Sequence, residues 1–141
     1  MPGLSRKDAL AFIVAAPRTA KLATIKKDGS PHVVPVWVDL DGEQVVFNVG
    51  RDSLKAKAML RDPRVSICFD DETPPFGFVT IAGIASLSND LDEMLVWATR
   101  IGGRYMGAER AEEFGRRNAV PEELLVRVTP TRIVGATAIS D

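Results

Sequence analysis

The dipeptide Asp41-Gly42, set between two apolar runs, constrains this chain more than any other feature. Asp-Gly is a strong hairpin signal, because glycine accepts the positive φ needed by a short reversal matched to the strand twist. It makes residues 31–40 and 44–49 antiparallel neighbours. Residues 19–25 precede them across the turn Lys27-Asp28-Gly29-Ser30, so a three-stranded antiparallel meander is expected. Within 31–40 both alternating sets are apolar: Val34, Val36 and Val38 on one face, Val33, Pro35 and Trp37 on the other. A strand apolar on both faces is covered on both, here by the core and by a ligand or second subunit. Pro35 cannot donate to a ladder. It marks either an edge strand or an interruption that leaves backbone groups free for a ligand.

The rest of the chain supplies more strands and a few helices. Ser5 with Asp8 three residues later reads as a capping box. It opens a helix through Ala15, with Leu10, Ile13 and Val14 toward the core and Pro17 as its stop. Asp62-Pro63 ends a central helix, and strands follow at 65–69 and 76–87, the latter with a bulge at Gly83. Asn89 or Asp90 caps the longest helix, which runs to about Ile101. Its apolar stripe is Leu91, Met94, Ala98 and Ile101, flanked by Trp97 and Arg104, and Gly102-Gly103 interrupts it. A charged helix over 108–118 and a strand pair at 124–128 and 132–138, bent at Pro130, complete the chain. Residues 1–141 show no repeat, linker or low-complexity tract, and the length suits one domain. The pattern predicts a mainly β, α+β fold: a small antiparallel barrel of six to seven strands with peripheral helices.

Between the third strand and the central helix lies a basic turn. Asp52 or Ser53 is a good N-cap, yet Arg51, Lys55 and Lys57 crowd a helix end that is already positive. Free N–H groups with lysines there form a site for a phosphate or another anion; the alternative is a solvated basic helix start. Lys55 and Lys57, two apart, do not share a helix face, and Lys55 is nearer the helix mouth.

Other chemistry is thin. Lys and Arg number 18 against 19 Asp and Glu, for a net charge of −1, which argues against general nucleic-acid binding. Cys68 is the single cysteine, so disulfides and cysteine-based zinc sites are excluded; it reads as a small buried hydrophobe. The N-terminus lacks signal-peptide blocks and no run is long enough to span a bilayer, so a cytoplasmic protein without membrane partners is expected. His32 is the single histidine, read as solvated or hydrogen-bonded, and leaves no metal site and no Ser-His-Asp arrangement. Gly102-Gly103-Arg104 follows a helix and is no nucleotide fingerprint. Asp70-Asp71 and Glu122-Glu123 read as solvated loop carboxylates. If the protein is an enzyme, a bound cofactor supplies the reactive atoms.

Two blocks carry a family resemblance. The first is Leu22-Ala23-Thr24-Ile25, then Asp28-Gly29-Ser30-Pro31-His32, then Pro35-Val36-Trp37-Val38. The second is Ser53-Leu54-Lys55-Ala56-Lys57, then Arg61-Asp62-Pro63-Arg64-Val65-Ser66. In order and spacing they resemble the pyridoxamine 5′-phosphate oxidase-like split β-barrel proteins. More closely, they are similar to the flavin- and deazaflavin-dependent oxidoreductases of actinobacterial type. The resemblance covers about Leu10 to Thr137, and the Arg104-Tyr105 segment and residues 125–130 resemble the deazaflavin-using branch.

The resemblance implies an FMN-binding type of split barrel and a homodimer with cofactor at the subunit interface. By position it implies Lys55 on the cofactor phosphate, with Ser53 and then Lys57 or Arg51 assisting. The backbone of Val34, Pro35, Val36 and Trp37 would lie along the ring system, and Asn48, Val49 and Gly50 near the ribityl chain. Phe76, Phe78 and Val79 would approach from the partner subunit. Two departures stand out. The Arg-Leu-x-Pro ending of genuine pyridoxamine phosphate oxidases is missing, which disfavours vitamin B6 oxidation. Ser53 stands where several relatives have an arginine, which weakens the phosphate clamp because serine cannot chelate. The expected activity is hydride transfer from the reduced deazaflavin coenzyme F-420 to an unsaturated or conjugated small-molecule acceptor. FMN is the alternative cofactor, and a non-catalytic flavin-binding protein the alternative class. Arg104 and Tyr105 are substrate-side candidates, or simply a helix end packed on the barrel.

Overall fold

The hairpin turns one residue later than the Asp-Gly signal suggests. Asp41 pairs with Gln44, so Gly42 and Glu43 make the reversal, and Gly42 takes a φ of +60°. This is the glycine-first form of the two-residue turn. The computed structural model describes residues 3–141. In chain order its elements are α1 (Arg6–Val14), β1 (Ala20–Ile25), β2 (Pro31–Val36), β3 (Asp39–Asp41), β4 (Gln44–Gly50), α2 (Leu54–Arg61), β5 (Arg64–Asp71) and β6 (Gly77–Ser88). There follow α3 (Leu91–Met106), a 3-10 turn at Ala108–Arg110, α4 (Ala111–Asn118) and β7 (Glu123–Thr137).

All seven strands form one antiparallel sheet in the order β2-β1-β5-β6-β7-β4-β3. The two edge strands, β2 and β3, are consecutive in the chain and separated only by Trp37 and Val38. Three Cα steps of at most about 3.6 Å cannot bridge a flat sheet of seven strands spaced about 4.8 Å apart. The sheet therefore curls until its edges meet without pairing, as a split barrel. Its interior holds Leu22, Phe47, Ile67, Phe69, Ile81 and Val126, all fully buried. Burying one such side chain contributes about 1.5–3 kcal/mol, so the barrel interior is the main source of stability.

Several local expectations are revised. Residues 31–40 are not one strand: β2 pairs with β1 while β3 pairs with β4, so the meander is split between opposite sheet edges. Pro35 does not break the ladder; it faces Lys21 within the β1–β2 register, on an edge strand where a missing N–H costs nothing. The break falls at Trp37-Val38. The bulge does lie at Ala82/Gly83. Residues 123–137 form a single bent strand, pairing with β4 through one part and with β6 along most of its length.

Among the helices, Ser5 caps α1 by accepting from the Asp8 N–H at 3.1 Å, but Ala9 and Ile13 are the buried residues and Val14 is half exposed. In α3, Asp90 is the cap and Gly102-Gly103 does not interrupt the helix. Gly102 has a packing function instead: a Cβ there would lie 2.5 Å from the Phe114 Cβ, so its absence lets α4 seat against α3. Trp97 joins Met94, Ala98 and Ile101 on the buried stripe, and Leu91 is exposed. Among the described residues no helix is long and apolar enough to cross a membrane.

Candidate functional site

The α2 N-terminus is closed by Ser53, whose Oγ accepts from the Ala56 N–H at 3.2 Å and donates to the Gly50 carbonyl at 2.7 Å. Its hydroxyl is thus committed to the cap. Residues two apart on a helix stand about 200° around its axis. Lys55 accordingly turns, half-buried, into a cleft, whereas Lys57 is exposed elsewhere. Lys55 has no ion-pair partner within 4 Å among the described residues.

The cleft encloses about 330 Å³. One wall is the junction between the sheet edges, Pro35, Val36 and Trp37. The floor is the end of β4, Asn48, Val49 and Gly50. Ala98 and Ile101 of α3 and Asn118 of α4 form the opposite wall, and Lys55 and Glu123 are its ionisable lining residues. Seven of the residues singled out from sequence therefore meet here: Pro35, Val36, Trp37, Asn48, Val49, Gly50 and Lys55.

Trp37 is held rigidly. It stacks on Tyr105 with ring centroids 5.2 Å apart and planes within 4°, and Phe114 packs against it at 5.9 Å. Asn48 donates its amide to the Asn118 carbonyl at 3.0 Å, which leaves its Oδ1 buried without a partner. A buried acceptor left unpaired costs about 1–3 kcal/mol, so a ligand bringing a hydroxyl or N–H donor would relieve it. Glu123 opens β7 opposite Gly50 in the ladder, with Oε2 3.5 Å from where a Gly50 side chain would begin. Burial pushes its carboxyl above the usual range and Glu122 adds to this, while Lys55 pulls the other way. An apolar aromatic wall, an unpaired ammonium and an orphaned acceptor fit a flat ring bearing hydroxyls and an anionic tail.

Other candidates from sequence lie elsewhere. Arg51 donates through Nε to the Pro121 carbonyl at 2.9 Å and borders a separate groove. Val34 packs toward the barrel core. Val79 is fully buried in that core; Phe78 sits on the outer sheet face, and Phe76 is a partly exposed turn residue with φ of +61°. None of the three lines the cleft of its own chain. Arg104 donates to the carbonyls of Ile13 and Ala16 at 2.7 and 2.8 Å, closing the end of α1. The Tyr105 hydroxyl accepts from the Val38 N–H at 3.2 Å and donates to the Arg18 carbonyl at 2.7 Å. Both therefore join the helical layer to the barrel.

Asp70 and Asp71 are not loop carboxylates: they end β5 and pair with Lys21 at 2.8 Å and Arg18 at 2.5 Å. His32 is partly exposed, with its Nδ1 buried without a partner, and Cys68 is only partly buried. Sequence reasoning missed Glu123 and Asn118 as lining residues. Glu123 is readable in hindsight as the first residue of an apolar strand, whereas Asn118 carries no local signal.

Residues 7–135 match the family described as pyridoxamine 5′-phosphate oxidase. No curated relative matches. Among solved structures, a conserved hypothetical protein from Mycobacterium tuberculosis is similar, at 24% identity and a TM-score of 0.83 over 97% of this chain and 87% of that one. An F-420 reductase matches at 20% identity and 0.65, over 86% and 93% of the respective chains. An FAD-binding protein from Mesorhizobium loti matches at 20% and 0.70, over 95% and 93%. At these identities the structural likenesses carry the fold alone, a split barrel of this type. The family match carries more, since it spans both walls of the cleft and nearly the whole sheet, and by it this chain belongs to the pyridoxamine 5′-phosphate oxidase family.

Proposed function

We propose that this protein is an oxidoreductase that uses the reduced deazaflavin coenzyme F-420 to reduce an unsaturated or conjugated organic acceptor. The observation that carries the reading is the continuity of the cleft from Lys55 to Trp37. A cationic point for a phosphate and a rigid aromatic edge for a ring line one depression, which Asn48, with its orphaned acceptor, also lines. When bound, the coenzyme supplies the hydride. The chain binds and orients: Lys55 anchors the phosphate through charge-assisted hydrogen bonds, Asn48 receives a ribityl hydroxyl, and the Pro35–Trp37 backbone lies along the ring. Ala98 and Ile101 give the cleft an apolar side, which favours close approach of acceptor and ring in a water-poor space. Similarity to an F-420 reductase supports the choice of coenzyme, and similarity to an FAD-binding protein keeps FMN, or binding without turnover, as the second reading.

We also propose a homodimer. α3 covers the outer face of β4 and β7, packing Met94 and Trp97 on Val46 and Leu125, whereas the outer face of β2, β1, β5 and β6 exposes Val33, Ile84 and, on β7, Val134, which register pairing places on one side. Small residues lie between them: Ala23, Ser66 and Ala82. A second copy would bury this face and bring Phe76 and Phe78 toward a neighbouring cleft.

Titration of the purified protein with coenzyme F-420 and with FMN, followed by ring fluorescence, tests the reading. Micromolar or tighter deazaflavin binding, weakened tenfold or more by Lys55→Ala, supports it. Failure of a quinone, enone and biliverdin panel to oxidise the bound reduced coenzyme would favour a binding protein. A monomer in sedimentation at micromolar concentration removes the dimer proposal.

A further inference from the structure

Resting on that reading of the cleft, we propose that Glu123 makes this site selective for phosphodiesters: it accepts a ribityl phosphate carrying one negative charge and discriminates against one carrying two. The basis is a charge count. Lys55 and Glu123 are the two ionisable residues lining the cleft, so its formal charge is zero. The other cations of the basic turn do not change this. Arg51 is engaged by the Pro121 carbonyl outside the cleft, Lys57 is on the opposite side of α2 and exposed, and the Ser53 hydroxyl is spent on its own helix cap. Glu122, adjacent in the chain, adds negative charge beside Glu123.

A phosphomonoester has a second pKa near 6 and carries nearly two charges at neutral pH, whereas a diester carries one. The first charge finds Lys55. The second has no further cation among the lining residues to meet and lies near the Glu123 carboxylate, in partly buried surroundings where charges are screened less than in water. The Glu123 backbone is fixed in the β4–β7 ladder opposite Gly50. Its Oε2 lies beside the Gly50 backbone, 3.5 Å from where a Cβ at that position would sit. The site is thereby sorted by phosphate ionisation rather than by ring chemistry. Coenzyme F-420, a phosphodiester, is on the favoured side and FMN, a monoester, on the disfavoured one.

Matched pairs isolate the effect: FMN against its phosphate methyl ester, and the deazariboflavin 5′-phosphate against its methyl ester. Each pair differs by one charge and shares its ring. Fluorescence titrations at pH 7.5 should give at least tenfold tighter diester binding for whichever ring the cleft accepts. In Glu123→Gln the ratio should fall toward one, mainly through tighter monoester binding, with diester affinity within threefold of wild type. Wild-type protein that binds the monoester as tightly as the diester overturns the inference without any variant. So does an unchanged ratio in a Glu123→Gln protein that melts cooperatively. If none of the four ligands binds, the cofactor reading of the cleft itself fails and the inference fails with it, an outcome distinct from binding without selectivity.

Discussion

Trp37 and Tyr105 stack face to face, 5.2 Å apart and within 4° of parallel, although 67 residues separate Tyr105 from the Val38 N–H that its hydroxyl also holds. One side chain thus pins the junction between the two sheet edges from the last turn of α3. Tyr105→Phe keeps the stack and removes the hydroxyl, leaving the Val38 N–H and the Arg18 carbonyl without that partner. The cost of a lost buried hydrogen-bond partner is about 1–3 kcal/mol. Chemical denaturation should show a loss of that size, with cofactor affinity reduced because Pro35–Trp37 is no longer fixed.

Arg104 offers a contrast, since its guanidinium closes the carbonyl end of α1 and stays out of the cleft. Arg104→Lys retains a charge but loses the planar fork that reaches two carbonyls at once. The melting temperature should fall while the deazaflavin Kd stays within twofold of wild type. A large rise in Kd without a loss of stability would mean that Arg104 contacts a ligand.

The two lysines of α2 should separate cleanly. Lys55→Ala removes charge-assisted hydrogen bonds worth about 1.5–3 kcal/mol, so ligand affinity should fall roughly ten- to hundredfold. Lys57→Ala, on the exposed side of the helix, should leave it within twofold. Equal losses would indicate diffuse basic attraction, which added salt would also abolish.

Glu123 ties affinity to pH stability. Its carboxyl titrates above the usual range, chiefly through burial. A group whose folded pKa is raised contributes stability that is fully present below its unfolded pKa and is lost as pH rises through the folded value. Glu123→Gln should therefore be more stable than wild type at pH 7, with the advantage shrinking as pH falls toward the ordinary glutamate pKa of about 4.3 and gone below it. Paired melting curves from pH 4 to 7 measure this; an advantage independent of pH would point to packing instead.

Gly102→Ala tests how the helical wall of the cleft is set. Alanine gains up to about 1 kcal/mol of helix propensity, but its Cβ would collide with Phe114, 2.5 Å away. Overpacking costs about 1–3 kcal/mol, so the net effect should be destabilising. Displacement of α4 also moves Asn118, so the titration should show weaker ligand binding.

What the sequence alone determined was local. The hairpin at Gly42, the caps Ser5, Ser53 and Asp90, the Ala82/Gly83 bulge and the divergence of Lys55 from Lys57 each depend on residues within a few positions of one another. Backbone sterics and helical periodicity suffice to read them. Even there, Gly102-Gly103 misled, because a glycine that signals a helix stop in isolation is required in mid-helix once another helix must lie against it. Only the tertiary structure decided that β2 and β3 are opposite edges of one sheet, that Tyr105 holds Val38, and that Glu123 faces into the cleft with Lys55. These relations join residues tens of positions apart. Their energies come from curling the sheet and burying its interior, a property of the whole chain that no short window of sequence contains.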